Sequence, residues 1–178
     1  MSTNEQIKPL LSAEQISTRI AELAGQINND YAGKDILLIG TLKGAYIFMA
    51  DLSRQLALPA EIDFLKVSSY GDSTSPESQV KFDQIPSIKM QGKHVLLVED
   101  IVDTGHTLAF LRKYVLAQDP ASLRVCALLD KPSRREANLA PIEYIGFSIP
   151  DEFVIGYGLD FSQRYRNLPF IGVLQFTE

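Results

Sequence analysis

Val95-Leu96-Leu97-Val98 is a run of four apolar side chains that stops at two adjacent acids, Glu99 and Asp100. A short, unbroken, β-branched and leucine-rich run of this kind is a strand covered on both faces, as the strands of a parallel sheet are. Ile101 and Val102 follow, then Asp103-Thr104-Gly105-His106-Thr107, then the helix-like LAFLRKYVLA. A strand that passes through a small turn into a helix leaves free backbone N–H groups at the helix start. Donors and dipole together stabilise a phosphate there. Thr104 and Thr107 add hydroxyls, and Gly105 lets a ligand approach the backbone closely. Glu99 and Asp100 cannot serve the same anion. They suit the neutral hydroxyls of a sugar, or a magnesium ion.

The same pattern recurs along the chain. ILLIG at 36–40 leads through Thr41-Leu42-Lys43-Gly44 into AYIFMADLSRQL, a helix with Tyr46, Phe48, Met49 and Leu52 among its apolar positions, closed off by Pro59. RVCALLD gives another strand, ending at Asp130-Lys131, and residues 61–70 read as extended. Upstream, Ser12 with Gln15 forms a capping-box pattern, and Ile16, Ile20, Leu23 and Ile27 line one helical face until the turn signals at 28–33. Strand–helix alternation implies a mostly parallel α/β sheet flanked by helices, with right-handed crossovers. Ligands bind such a sheet outside the carboxyl ends of its strands, so the Lys43, Glu99-to-Thr107 and Lys131 segments should line the site.

Residues 71–79, GDSTSPESQ, hold no large apolar side chain and read as a mobile loop, with Val80 and Phe82 returning as a short strand. Gly92 and Lys93 turn the chain into the central strand. From Pro141 onward, IEYIGFSI, FVIGYGLD and FIGVLQF are short β-like pieces separated by Pro150, Gly158 and Pro169, a texture that suggests a small cap over the sheet. The expectation is one domain, 1–178, with a core at about 30–135 and a cap at about 136–178.

With 178 residues, 46% of them hydrophobic, the chain can bury one proper core. A net charge of -5 argues against a nucleic-acid surface. The single cysteine, Cys126, excludes an internal disulfide, suits a reducing cytoplasm, and reads as a packed core thiol. No apolar run approaches the ~20 residues of a membrane span, and MSTNEQIK lacks the pattern of a secretion leader. The reading is therefore a soluble cytoplasmic protein without nucleic-acid or membrane partners.

The acid pair followed by D-T-G-x-T resembles the 5-phosphoribosyl 1-pyrophosphate (PRPP) binding motif of type I phosphoribosyltransferases, and most closely the hypoxanthine–guanine branch. The resemblance runs from about Ile36 almost to the C-terminus. It implies a central sheet with a small hood from the chain ends, and transfer of the phosphoribosyl group to hypoxanthine or guanine. It implies that Leu42, Lys43 and Gly44 bind pyrophosphate, with the Leu42–Lys43 peptide cis, and that Arg166 lies near it. Glu99, Asp100, Asp103, Thr104, Gly105, His106 and Thr107 then form the PRPP loop, with His106 on the phosphate or solvent side. Ser69-Tyr70 matches the start of a lid. Lys131 matches the donor to a purine 6-oxygen, Phe153 the ring that stacks on the base, and Val154 the backbone contact to its edge. Asp160, grouped with these, matches a metal-binding acid. Mg2+ would sit with Glu99, Asp100 and Asp160, and Asp103 would be the general base. The family also implies a homodimer or homotetramer.

A regulator that keeps the fold but not the catalysis is the main competitor. A receiver-like module with an acid pair for magnesium is another. Asp103, Lys43 and Asp160, together with the acidic net charge, favour the enzyme over the regulator, and the D-T-G-x-T loop argues against the receiver. His94, at the start of its strand, is read as inert.

Overall fold

The computed structural model describes residues 4–70, 79–136 and 140–177. They run β1 (Asn4–Leu11), α1 (Ala13–Asp30), β2 (Ile36–Leu42), α2 (Tyr46–Gln55), β3 (Ala60–Tyr70), β4 (Gln79–Gln84), β5 (His94–Val102), α3 (His106–Leu116), β6 (Ser122–Asp130), β7 (Tyr144–Ser148), β8 (Val154–Ile155) and β9 (Ile171–Thr177). A single 3-10 turn, Pro132–Arg134, follows β6.

Six strands make the main sheet in the order β4-β3-β2-β5-β6-β7. All its pairings are parallel except β3 with β4. The apolar runs sit at its centre because both faces are covered. Ile36, Leu38, Leu96, Val98, Cys126 and Leu128 pack with α1 and α2 on one side. Leu37, Ile39, Val95, Leu97, Val125 and Ala127 pack with Leu108, Leu111 and Val115 of α3 on the other. Cys126 is buried and free, and burial pushes its thiol well above the usual range, as befits a core residue.

Ser12 caps α1 as expected. Its hydroxyl accepts from the Gln15 N–H at 3.1 Å, and the Gln15 side chain accepts from the Ser12 N–H at 2.8 Å. Ile16, Ile20, Leu23 and Ile27 are buried. Helix α2 buries Phe48, Met49 and Leu52, but Tyr46 stands at its first turn with 42% of its surface exposed. The helix stops at Gln55, four residues before the proline.

Two findings differ from the sequence-based reading. Tyr144–Ser148, expected in the cap, is instead the edge strand of the main sheet, parallel to β6. The hood proper is a three-stranded antiparallel sheet, β1-β9-β8. Its first strand comes from NEQIKPLL, which carries no strong alternation and holds Pro9. That proline is tolerated because β1 is an edge strand and its register shifts between Pro9 and Leu11.

Val80 and Phe82 do return in a short strand, β4. Of the loop expected at 71–79, residues 71–78 lie outside the described residues. The lid positions Ser69 and Tyr70 end β3, paired with Val80 and Gln79.

Candidate active site

Chain direction reverses between β2 and β5. From β2 the chain moves outward to β3, and from β5 it moves the other way to β6 and β7. In an open parallel sheet the crevice beyond the carboxyl ends of two such strands is where ligands bind. Here that crevice is a cleft of about 410 Å³. The end of β2 contributes Thr41 to Gly44, and the end of β5 contributes Glu99 to Gly105. Thr107 comes from α3, and Asp160 and Arg166 come from the hood.

The loop at 103–107 is shaped by Gly105. Its φ of 91° lies in the left-handed region, open to glycine and costly to other residues, and it turns the chain straight into α3. No side chain caps this helix, so Asp103 and Thr104 do not act as caps. The first-turn N–H groups have no intrahelical partner, and Gly105, Thr107 and Leu108 line the cleft. Lys131 N–H bonds the Val102 carbonyl at 2.9 Å, and Glu136 N–H bonds the Thr104 carbonyl at 3.3 Å. Asp103 is therefore braced on both flanks by the segment after β6.

The acid pair is buried at the floor. Burial first, and the Asp100 charge second, push the Glu99 carboxyl up to about 8 against a hydrogen bond from Thr41. Burial pushes Asp100 up to about 6. Thr41 Oγ1 lies 2.6 Å from Glu99 Oε2 and 3.1 Å from the Val98 carbonyl oxygen. Thr41 is the donor to both, its one hydroxyl proton shared between the Glu99 carboxyl and the Val98 carbonyl. Glu99 Oε1 is buried with no partner.

Backbone approaches closely here. A Cβ on Gly44 would stand 1.4 Å from Asp100 Oδ2. The Leu42–Lys43 peptide is cis, as the resemblance implied. Lys43 Nζ donates to Gln163 Oε1 at 3.1 Å. Arg166 donates to the Gly158 carbonyl at 2.7 Å, pairs with Asp160 at 2.6 Å, and attracts the Asp100 charge.

Among the described residues no three His, Cys, Asp or Glu side chains converge as a metal site. Glu99, Asp100 and Asp160, the expected metal acids, all line the cleft, with Asp160 paired to Arg166 and accepting from the Gln163 N–H. The hard oxygens of Glu99 and Asp100, one of them orphaned, fit Mg2+ held by one or two carboxylates plus ligand oxygens.

Lys131 is buried at the end of β6, 3.7 Å from Asp103 Oδ2. The His106 side chain takes the outer side of the loop, with its Nε2 facing Glu136 at 2.8 Å. Phe153 and Val154 lie beyond the cleft lining. Phe153 is 52% exposed and meets Phe161 edge-on, whereas the Val154 side chain packs in the core. His94 is remote, against Ser122 and Tyr31. Sequence reasoning did not single out Thr41 as the partner of Glu99, Gln163 as the partner of Lys43, or Arg134 and Asp151 as the partners of Asp103 and Lys131. Only Arg134, near Lys131 in KPSRR, offered a local signal.

Residues 6–162 match the family model for the phosphoribosyl transferase domain. The chain is 49% identical to the hypoxanthine phosphoribosyltransferase of Escherichia coli over 168 residues, 93% of this chain and 94% of that protein. It is 49% identical to the hypoxanthine-guanine phosphoribosyltransferase of Mycobacterium bovis, over 93% of this chain and 84% of that one. The crystal structure of a hypoxanthine-guanine phosphoribosyltransferase from Bacillus anthracis superposes with a TM-score of 0.89 at 44% identity, covering 97% of this chain and all (100%) of that one.

Proposed function

This chain belongs to the hypoxanthine–guanine phosphoribosyltransferases, and from that premise we propose how its own residues perform the reaction. It is a purine salvage enzyme that transfers 5-phosphoribosyl from PRPP to hypoxanthine or guanine, giving IMP or GMP and pyrophosphate.

The support for the residue assignment is the meeting, at one crevice, of the 103–107 loop, the acid pair, the 42–44 turn and Arg166. Thr104, Gly105, Thr107 and the first-turn N–H groups of α3 hold the 5-phosphate. Glu99 and Asp100 accept from the ribose hydroxyls. Leu42, Lys43, Gly44 and Arg166 take the pyrophosphate, whose leaving charge Lys43 and Arg166 stabilise. Bound to Glu99 or Asp100 together with substrate oxygens, Mg2+ would supply further neutralisation of that charge. Asp160 serves the site through Arg166.

On the acceptor side, Lys131 donates to the purine 6-oxygen, Phe153 stacks on the ring and the Val154 backbone meets its edge. Asp103 accepts the proton lost as a purine nitrogen attacks the anomeric carbon. Ser69 and Tyr70 begin a lid over the ribose. We take the working form to be a cytoplasmic homodimer or homotetramer of single-domain chains, with no nucleic-acid or membrane partner. Asp103→Asn tests the central assignment. It should lower kcat by roughly 10²- to 10⁴-fold with PRPP affinity little changed, and near-normal turnover would remove Asp103 from its role.

A further inference from the structure

Asp103 and Lys131 are not free in this structure. Lys131 Nζ lies 3.7 Å from Asp103 and 3.4 Å from Asp151. Arg134 spans the same two acids, with Nε 2.8 Å from Asp103 Oδ1 and Nη1 3.5 Å from Asp151 Oδ2. The four charges alternate in sign around a closed ring with no net charge. Three of them are about half exposed, and such pairs add little to stability. Lys131 is different: its side chain is 8% exposed, so its ammonium needs compensation.

We propose that Arg134 and Asp151 are positioning residues of the purine site, and that they act as a charge-balanced pair. Arg134 holds Asp103 by Oδ1 and leaves Oδ2, the oxygen nearer Lys131, to face the incoming base. Asp151 shares the Lys131 ammonium with Asp103, so that Asp103 alone does not capture it. Removing Arg134 leaves two acids competing for Lys131, and removing Asp151 leaves Lys131 to Asp103 alone. Either change draws the lysine away from a purine oxygen. Removing both leaves Lys131 to Asp103 alone, as removing Asp151 does, so the second change adds little to the first. The position of Arg134 is set by the backbone bonds from Lys131 and Glu136 to either side of Asp103, and that of Asp151 by the bond from Ile149 N–H to the Asp130 carbonyl.

This inference rests on the purine-site roles of Asp103 and Lys131 given above. The test is a double-variant cycle of Arg134→Ala and Asp151→Asn, read as kcat/KM for hypoxanthine and guanine beside the KM for PRPP, with Lys131→Ala as reference. Each single variant should lose about tenfold in purine kcat/KM, roughly 1.4 kcal/mol. The double variant should lose about the same and not about a hundredfold, because interacting sites are non-additive. PRPP KM should stay within about twofold throughout, and Arg134→Lys should recover most of the loss, since an ammonium restores the balance. Additive losses, parallel changes in PRPP KM, or no loss in either single variant would overturn the proposal. A Lys131→Ala variant without base selectivity would instead sink the prior reading of the lysine, so the two failures are distinguishable.

Discussion

Gly158 meets Gly44 so closely that a Cβ on Gly158 would stand 2.0 Å from the Gly44 carbonyl oxygen. Hood and sheet thus touch through bare backbone at the 42–44 turn, and Gly158 also has a φ of 101°. Gly158→Ala adds both a collision and a strained conformation. It should push the turn away from Arg166, raising the KM for PRPP at least about tenfold and lowering Tm, since overpacking costs about 1–3 kcal/mol. Steady-state kinetics and a thermal melt check this; an unchanged KM would show the contact to be slack.

Glu99 carries a pH signature. Its carboxyl is pushed up to about 8 by burial and by Asp100, so the folded protein binds that proton more tightly than the unfolded chain does. Stability from this source is full below the ordinary value of 4.5 and is lost as pH rises through about 8. Glu99→Gln, which cannot ionise, should therefore melt close to the parent at pH 5 and above it at pH 9 when ligand and metal are absent. Parallel Tm curves across that range would mean that Glu99 ionises at no cost.

Magnesium should matter for PRPP and not for the empty protein. Among the described residues the acids do not form a three-membered cage, so the ion needs ligand oxygens to complete its sphere. Calorimetry should show PRPP binding weakened by chelator, with little heat from magnesium alone. Equal PRPP affinity with and without the metal would contradict its proposed role.

Lys131 should decide between 6-oxopurines and adenine. A charged donor to a 6-oxygen is worth about 1.5–3 kcal/mol. Lys131→Ala should lower kcat/KM for hypoxanthine and guanine by about ten- to a hundredfold and leave the poor rate with adenine nearly unchanged. A lysine serving only phosphates would weaken every base alike, and a surface role would change none.

Much of the main sheet was legible because its signals are local. Val95–Val98, Ile36–Gly40 and the Ser12–Gln15 box each announce themselves within a few residues, and so does the Asp103–Thr107 loop. The hood was less so. β1 is an edge strand interrupted by Pro9, and β7 looks like its hood neighbours but is drawn to the sheet by pairing with β6. The partners inside the site were the least legible. Arg134 and Asp103 are 31 positions apart, Lys131 and Asp151 are 20 apart, and Lys43 and Gln163 are 120 apart. Only the folded sheet brings them together. The side of the loop that the His106 side chain takes was open for a related reason: only in the folded chain does Glu136, 30 positions on, stand against it.

The most direct measurement is turnover of the purified protein with PRPP, magnesium and, separately, hypoxanthine, guanine and adenine, with both products identified. The account predicts IMP from hypoxanthine and GMP from guanine, each with one equivalent of pyrophosphate, and little AMP. Binding of PRPP without nucleotide formation from any base, or AMP as the dominant product, would contradict it.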